Sequence, residues 1–242
     1  MRIIIYAAGV SRRLKSLAVN GLKGLLELDG KKIIEYQLDW ITRQPITEVV
    51  IVLGLEHELY REVLGNEYNG VSVQYVYNPD YKDKGNMLSL WHARHFCDTD
   101  ILFTTSDLIC EKHDIDLFNR SPFKNKILID NQTESLFVDP DPVKVCVEKE
   151  RITGIRKKNK ELRRVDGLAI GLYQFSKQGI AEIIAAIDEK ISQGYENLSL
   201  YYAVDAVLHK VEVKPVFAEK NNWFDVDTPE DYLNVTRVVS KK

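Results

Sequence analysis

The chain begins with an apolar run that leads directly into a turn of very small residues, and this order constrains the fold more than any other feature. Residues 3–6 read Ile-Ile-Ile-Tyr, which is typical of a buried strand. Ala7, Ala8 and Gly9 follow and leave the backbone N–H groups of the turn unscreened. Such a turn can wrap a phosphate group, and nearby cations would neutralise its charge. The alternative interpretation is an ordinary strand-to-helix turn of an α/β domain.

Strand and helix patterns alternate over the first hundred residues. This alternation favours a parallel sheet with helices on both faces, because each crossover connection covers one face. We therefore predict an α/β fold with a mostly parallel, doubly wound, Rossmann-like mixed sheet. Ligands of such sheets bind beyond the carboxyl ends of the strands, where residues 7–23 and Asp107 fall. The predicted strands cover 3–6, 48–54, 71–77 and 101–105, and the predicted helices cover 32–41, 56–64 and 86–96.

The middle of the chain has a different pattern. Short strands are predicted at 126–130, 143–147 and 151–155, without helices between them. We interpret about 120–170 as a small antiparallel insertion that forms the acceptor side of a cleft, within a single domain that spans residues 1–242. The remaining predicted elements are a strand at 168–175, a helix to about 192 capped by Ser176, a strand at 211–217 and a last helix that begins at Thr228 and Pro229.

Composition argues against several classes of protein. The 242 residues are 45% hydrophobic, so a sizeable core is expected and disorder is not. The formal net charge of −3 argues against a nucleic-acid surface as the main partner. No apolar run approaches the roughly 20 residues that span a bilayer, so no membrane association is expected. The three cysteines lie in apolar runs without metal-ligand spacing, which indicates a reducing compartment, and we expect a cytoplasmic protein.

Three aspartates follow or lie within segments that could be extended. Asp107 comes after the strand predicted at 101–105, and Asp225 and Asp227 alternate near the C-terminus. Alternation places Asp225 and Asp227 on one face if that segment is extended. Mg²⁺ takes oxygen ligands and is commonly held by one or two carboxylates together with phosphate oxygens. These aspartates are therefore candidate metal ligands, and helix-cap or turn roles are the alternative.

The first thirty residues also carry a recognisable combination. An apolar strand, the small turn, Arg13 followed by leucine, and Lys23 in front of a Leu-rich strand resemble the signature of the nucleotidyltransferases that join an NTP to a phosphorylated small molecule and release pyrophosphate. Two positions depart from that signature. Ser11 stands where a second glycine is usual, and Leu22 stands where proline usually precedes the lysine. The departure at Leu22 resembles the choline-phosphate cytidylyltransferase branch.

Two further segments resemble the same branch. Residues 78–90 read NPDYKDKGNMLSL, and residues 225–232 read DVDTPEDY. The resemblance implies a Mg²⁺ cofactor held by Asp107 and Asp227, with Asp225 as a third candidate ligand. It also implies that the first of these segments lies along the base and ribose, although capping a helix is the alternative role of its asparagine. The implied nucleotide-binding residues are Ala7, Ala8, Gly9, Ser11, Arg12, Gly85, Asn86 and Ser89.

The resemblance further implies which cations and which acceptor residues take part. Lys23 would contact the α-phosphate or the acceptor phosphate, and Arg13 would hold the β- and γ-phosphates, so these two are the implied catalytic residues. The family often has a lysine in the strand that contains Lys144, for which an exposed strand lysine is the alternative. An ammonium head group would favour aromatic neighbours with an acidic partner, although aromatic residues are more often part of the core. The candidate acceptor-binding residues are Lys144, Asp130, Tyr173, Tyr195 and Tyr201.

These patterns together predict a Mg²⁺-dependent cytidylyltransferase that joins CTP to a phosphocholine-like or phosphonate acceptor. A sugar-1-phosphate nucleotidyltransferase that uses UTP or dTTP is the first alternative. A nucleotide-binding domain without catalytic activity is the second. A homodimer is compatible with the sequence, which gives no direct sign of one.

Overall fold

The computed structural model describes residues 1–14, 17, 22–54, 57–131, 142–157, 164–219 and 223–239. The strands are β1 (Arg2–Ala7), β2 (Glu27–Leu28), β3 (Lys31–Lys32), β4 (Glu48–Leu53), β5 (Glu67–Tyr68), β6 (Val71–Tyr77), β7 (Ile101–Thr105), β8 (Leu108–Cys110), β9 (Lys126–Asp130), β10 (Lys144–Glu148), β11 (Arg151–Arg156), β12 (Gly167–Phe175), β13 (Lys214–Phe217) and β14 (Trp223–Asp225). The helices are α1 (Ile33–Ile41), α2 (His57–Leu64), α3 (Met87–His92), α4 (Lys112–Arg120), α5 (Lys177–Ser192), α6 (Leu200–Val207) and α7 (Pro229–Val239).

The parallel part of the central sheet has the order β7-β1-β4-β6. Ile4 of β1 lies opposite Val50 of β4 on one side and Phe103 of β7 on the other. The chain first adds β4 and β6 on one side of β1 and then returns to add β7 on the other side. The carboxyl ends of β1 and β7 therefore form a switch point, which is where open α/β sheets bind ligands. The predicted mostly parallel, doubly wound sheet is confirmed.

Helices cover both faces of this sheet, because successive residues of a strand point to opposite sides. Ile3 and Ile5 of β1 pack in a cluster with α1 and α2, to which Ile34 and Tyr60 belong. Ile4 packs in a second cluster with α3, α5 and α6. The near-continuous apolar sequence of β1 is thus explained by burial on both faces. None of the helices in the described ranges is both long and apolar enough to cross a bilayer.

The strands after β7 are mostly antiparallel and extend the same sheet. β12 pairs antiparallel with β7, and β9 and β10 each pair antiparallel with β12. β11 pairs with β10, and β13 adds to β9 in the parallel direction. The antiparallel strands expected at about 120–170 therefore belong to the central sheet rather than to a separate layer. Their role as the acceptor side of a cleft remains a prediction.

Several elements differ from the sequence-based expectation. Lys23–Leu25 forms a short 3-10 turn, and only Glu27–Leu28 of the expected Leu-rich strand is extended. The strand expected from residue 211 begins at Lys214. Helices α4 and α6 were not predicted. The short helix α4 has a buried aspartate, Asp114, on its inner face, whereas α6 is apolar around much of its circumference.

A buried lysine joins α4 to β9. Lys126 is 2% exposed, and its Nζ atom donates to the carbonyl oxygens of Phe118 at 2.6 Å and Ser121 at 2.8 Å. These carbonyls lie at the C-terminal end of α4, where the helix dipole favours a positive charge. Burial disfavours the ammonium form and lowers the pKa of Lys126 from 10.5 to about 8. The lysine therefore satisfies the helix end at the cost of desolvating a charge.

This arrangement predicts a pH-dependent stability. Between about pH 8 and 10.5 the unfolded chain retains a proton on Lys126 that the folded protein has lost, so the stability contribution of this group rises with pH. We expect the free energy of unfolding of the wild type to rise, relative to that of Lys126→Met, by about 1–3 kcal/mol across this range. Urea unfolding at a series of pH values measures the difference. The exposed neighbour Lys124 is the control, since Lys124→Met should follow the wild type at every pH. Parallel pH profiles of the wild type and Lys126→Met would contradict the prediction.

Candidate active site

A cleft of about 440 Å³ opens at the switch point between β1 and β7. Residues of β1, β7, β12, α6 and β14 line it, together with residues of the segments that connect these elements. Arg13, Lys23, Asp107, Asp225 and Asp227 are all among the lining residues. The structure thus brings the two predicted catalytic cations and the three predicted metal ligands into one cleft.

Asp107 lies in the tight turn between β7 and β8. The backbone N–H of Ser106 donates to the carbonyl oxygen of Tyr6 at 3.0 Å, which continues the pairing of β7 with β1. The Nε2 atom of Gln37 on α1 donates to the carbonyl oxygens of Thr105 at 2.7 Å and Leu108 at 2.6 Å. The turn is therefore held on both flanks, and the Asp107 side chain is only 4% exposed.

A two-stranded ribbon brings the C-terminal aspartates to Asp107. β14 pairs antiparallel with β8, so that Asp225 lies opposite Leu108, and the N–H of Val226 donates to the Asp107 carbonyl oxygen at 3.2 Å. The helix that follows is capped by other residues. Its Thr228 N–H donates to the Asp231 carboxylate at 2.7 Å, and the Asp231 N–H donates to the Thr228 hydroxyl at 3.2 Å.

The three carboxylates form a compact cluster. One oxygen from each of Asp107, Asp225 and Asp227 lies within 4.8 Å of the other two. The Oδ1 atom of Asp107 is buried and has no hydrogen-bond partner among the described residues. A buried carboxylate oxygen without a partner is costly unless a cation or a donor reaches it. The cluster therefore fits a divalent cation that prefers oxygen ligands, such as Mg²⁺.

Two cations contact this cluster directly. The Nζ atom of Lys23 forms ion pairs with Asp107 and, at 2.8 Å, with Oδ1 of Asp227. Arg13 Nη2 lies 2.5 Å from the other oxygen of Asp227. Burial alone would raise the pKa of Asp227, but Lys23 and Arg13 outweigh it and hold that pKa below its usual value. In this arrangement both cations neutralise carboxylates.

The residues of the N-terminal turn differ in how much space surrounds them. Ala7 and Ala8 are buried, whereas a Cβ atom added at Gly9 would meet no atom within 4 Å. The hydroxyl of Ser11 is buried and has no partner among the described residues. The side chain of Arg12 lies outside the described part of the structure. A phosphate contact by these residues remains a prediction.

Three residues of segment 78–90 are proposed to bind the nucleotide, and one of them lines the cleft. Asn86 lines the cleft, and its Oδ1 atom accepts the backbone N–H of Leu200 at 2.8 Å, so it caps α6 rather than its own helix. The Gly85 N–H donates to the Glu196 carbonyl oxygen, and Ser89 is buried against Asn78. Gly85 and Ser89 therefore lie behind the cleft wall, and their nucleotide contacts remain a prediction.

Of the candidate acceptor-binding residues, likewise, only some line the cleft. Tyr173 and Tyr201 line the cleft, whereas Tyr195 lies outside its lining and is 54% exposed. Asp130 is buried behind the wall, where its carboxylate accepts the indole N–H of the cleft residue Trp223 at 2.8 Å. The Lys144 ammonium donates to the carbonyl oxygen of Lys157 at 3.0 Å and is outside the lining. Their roles in acceptor binding also remain predictions.

Sequence reasoning missed Gln37, which positions the turn that carries Asp107. The signal was present, since position 37 falls on the apolar face of α1 together with Ile34, Leu38 and Ile41. A polar residue on such a face indicates a hydrogen-bonding role, because burying an amide without partners is costly. Gln37 is 1% exposed, and its Nε2 atom donates hydrogen bonds to two backbone carbonyl oxygens of the site.

Comparison with known proteins agrees with this geometry. The chain is 25% identical over 238 residues to CMP-5'-(3-aminopropyl)phosphonate synthase of Streptomyces rubellomurinus, covering 96% of this chain and 37% of that protein. It is 23% identical over 244 residues to choline-phosphate cytidylyltransferase of Streptococcus pneumoniae, covering all of both. The solved structure of the inositol-1-phosphate CTP transferase from T. maritima superposes with a TM-score of 0.79 at 21% identity, covering 99% of this chain and 95% of that one, and so shares its fold.

A family model also matches the N-terminal part of the chain. Residues 3–117 match the model of the MobA-like NTP transferase domain. This segment contains the small turn, and it also contains Arg13, Lys23 and Asp107, which line the cleft. Residues 3–117 are therefore similar to the MobA-like NTP transferase domain over the part of the chain that carries three of the five charged residues of the cleft.

Proposed function

We propose that this protein is a Mg²⁺-dependent cytidylyltransferase that transfers CMP from CTP to a small phosphorylated acceptor and releases pyrophosphate. The observation that carries the proposal is the convergence of Lys23, Arg13 and three aspartates from distant parts of the chain at the sheet's switch point. The choice of CTP rests on the relatives, which include a CMP-5'-(3-aminopropyl)phosphonate synthase and a choline-phosphate cytidylyltransferase.

The proposed reaction needs positioning and charge neutralisation more than proton transfer. An oxygen of the acceptor phosphate or phosphonate attacks the α-phosphorus of the NTP. The bond from that phosphorus to the oxygen bridging to the β-phosphorus breaks, and pyrophosphate leaves with the bonding electrons. The attacking oxygen is already anionic at neutral pH, so no general base is required. The protein must hold two anions in line and offset their repulsion.

The cations of the cleft have the charge for this task. Two unit charges about 4 Å apart at an effective dielectric near 20 interact by roughly 4 kcal/mol. Lys23 would leave its carboxylate partners and contact the α-phosphate or the acceptor phosphate, while Arg13 would hold the β- and γ-phosphates. Mg²⁺, held by the aspartates, would supply further neutralisation at the phosphate oxygens. The open backbone at Gly9 would accept the triphosphate.

The proposal also covers the acceptor side of the cleft, the location of the protein and its assembly. The antiparallel strands around β10–β12 would form the acceptor side of the cleft, since Leu168, Ala169 and Tyr173 line it. The protein would act in the cytoplasm, and a homodimer is compatible with this function. A sugar-1-phosphate nucleotidyltransferase that uses UTP or dTTP would share the same charged cluster, so substrate tests must separate the two.

The proposed function makes three predictions, of which the first concerns substrates. We expect pyrophosphate release with CTP and Mg²⁺ in the presence of a phosphocholine-like or phosphonate acceptor, and at least tenfold less with UTP or dTTP. A coupled pyrophosphate assay with four NTPs and a panel of phosphorylated alcohols and sugars measures this. Greater activity with UTP or dTTP and a sugar 1-phosphate would replace the proposal with its alternative. Tight nucleotide binding without release on any substrate would favour a non-catalytic domain.

The second prediction concerns the charged cluster. Lys23→Ala and Asp107→Asn should each lower kcat by about 100-fold or more, because each removes charge that stabilises the transition state. Lys112 and Asp116 provide matched controls, since they form an ion pair on the outer side of α4. Lys112→Ala and Asp116→Asn should keep wild-type rates in the same pyrophosphate assay. Normal turnover by Lys23→Ala or Asp107→Asn would remove that residue from the mechanism.

The third prediction concerns metal binding without nucleotide. The Lys23 ammonium already lies on Asp107 and Asp227, so it competes with a divalent cation for the same oxygens. We expect nucleotide-free Lys23→Met to bind Mn²⁺ about tenfold more tightly than the wild type, although its turnover is lower. Titration followed by electron paramagnetic resonance measures free Mn²⁺. Adding Asp107→Asn to Lys23→Met should abolish the gain, and equal affinities of Lys23→Met and the wild type would contradict the prediction.

A further inference from the structure

One buried tyrosine touches both turns that carry the central ion pair of the site. Tyr60 lies on α2 and is 1% exposed. Its hydroxyl oxygen lies against Gly24, and hydrogen bonding to the Ser106 side chain and the Gly24 backbone partly offsets the rise in the pKa of Tyr60 that burial causes. Gly24 follows Lys23 in sequence, and Ser106 precedes Asp107. A single hydroxyl group therefore connects the residues adjacent to the lysine and to the aspartate.

The packing at Gly24 shows how closely these turns approach. A Cβ atom added at Gly24 would lie 2.6 Å from the Tyr60 hydroxyl oxygen, 3.2 Å from the Ser106 Cβ atom and 3.3 Å from the Ser106 carbonyl oxygen. Glycine is therefore required for the turn to lie between the tyrosine and the β7–β8 turn. The close approach brings the Lys23 ammonium onto the Asp107 carboxylate.

Core packing alone does not account for the hydroxyl of Tyr60. Its ring belongs to the cluster that joins α1 and α2 to the sheet, and a phenylalanine would fill the same space. A buried hydroxyl is costly unless it is hydrogen-bonded, and here both partners belong to the site. Gln37 differs, because the hydrogen bonds of its Nε2 atom reach only the flanks of the Asp107 turn.

We propose that Tyr60 is a positioning residue for nucleotidyl transfer, whose hydroxyl fixes the distance and orientation between Lys23 and Asp107. This inference rests on the proposed function. Tyr60 itself lies outside the lining of the cleft and does not contact substrate. It acts by holding the Lys23–Gly24 turn against the Ser106–Asp107 turn, so that the lysine and the metal-binding carboxylate meet the phosphates in one geometry.

The test compares two tyrosine-to-phenylalanine variants. Tyr60→Phe removes the proposed tether. The control Tyr75→Phe removes a hydroxyl on the far strand β6, which donates to the carbonyl oxygen of Gly65. We expect kcat of Tyr60→Phe to fall about tenfold, because a tenfold change in rate corresponds to about the free energy of one hydrogen bond. The change in KM for CTP should be smaller. Tyr75→Phe should keep the wild-type kcat. Melting temperatures of the two variants should be similar.

Hydrogen exchange supplies a readout that does not depend on turnover. In Tyr60→Phe we expect faster amide exchange in residues 22–26 and 105–109, with the rest of α2 and the sheet unchanged. Ser106→Ala should lower kcat in the same direction, and combining it with Tyr60→Phe should add less than the sum of the two effects, because both remove the same hydrogen bond.

The outcomes separate the inference from the proposed function. If the wild type is active and Tyr60→Phe keeps kcat and local amide exchange within twofold of the wild-type values, the inference alone is overturned. A wild type that releases no pyrophosphate on any substrate would overturn the proposed function, and the exchange data alone would then decide whether the tether exists. A general rise in exchange with a lower melting temperature would show that the hydroxyl only stabilises the core.

Discussion

The mutual neutralisation of five charged side chains at the switch point is the constraint on which the rest of the site depends. Three carboxylate oxygens within 4.8 Å of one another repel strongly, and the Asp107 side chain is almost fully buried. An uncompensated charge there would cost several kcal/mol. Lys23 and Arg13 offset this repulsion through direct ion pairs. The fold must therefore bring the N-terminal turn region, the β7–β8 turn and the β14–α7 connection together in every folded molecule.

Backbone geometry around the cluster follows from that requirement. Gly24 has no side chain to prevent the Lys23 turn from reaching Ser106. The pairing of β14 with β8 and the bond from Val226 to the Asp107 carbonyl fix the C-terminal aspartates. The Thr228–Asp231 capping pair starts α7 without engaging the Asp227 side chain, which stays on the two cations. Each of these local features would be unremarkable alone, and together they give one arrangement of charge.

Sequence reasoning found the charged residues but not the residues that hold them. The strand ends that carry the small turn and Asp107 follow from apolar runs, whose burial depends mainly on local pattern. Tyr60 and Asn86 act through contacts to segments far along the chain, with Ser106 and Leu200 respectively, and no local spacing reveals such partners. Asn86 suits a helix cap, yet the helix it caps begins more than a hundred residues later. For the same reason Tyr195 and Tyr201 looked equivalent in sequence, although only Tyr201 lines the cleft.

Under the proposed function, the ion pairs of Lys23 and Arg13 with the aspartates also affect how substrates are selected. Phosphate binding would exchange the Lys23 and Arg13 contacts with carboxylates for contacts with phosphate oxygens, while the carboxylates would gain a divalent cation. Because one set of ion pairs replaces another, the net electrostatic gain is much smaller than any single contact suggests. Every NTP offers the same triphosphate, so this exchange cannot distinguish bases or acceptors. Discrimination must then come from the uncharged part of the cleft, where Asn86, Tyr173 and Tyr201 present amide, hydroxyl and aromatic groups.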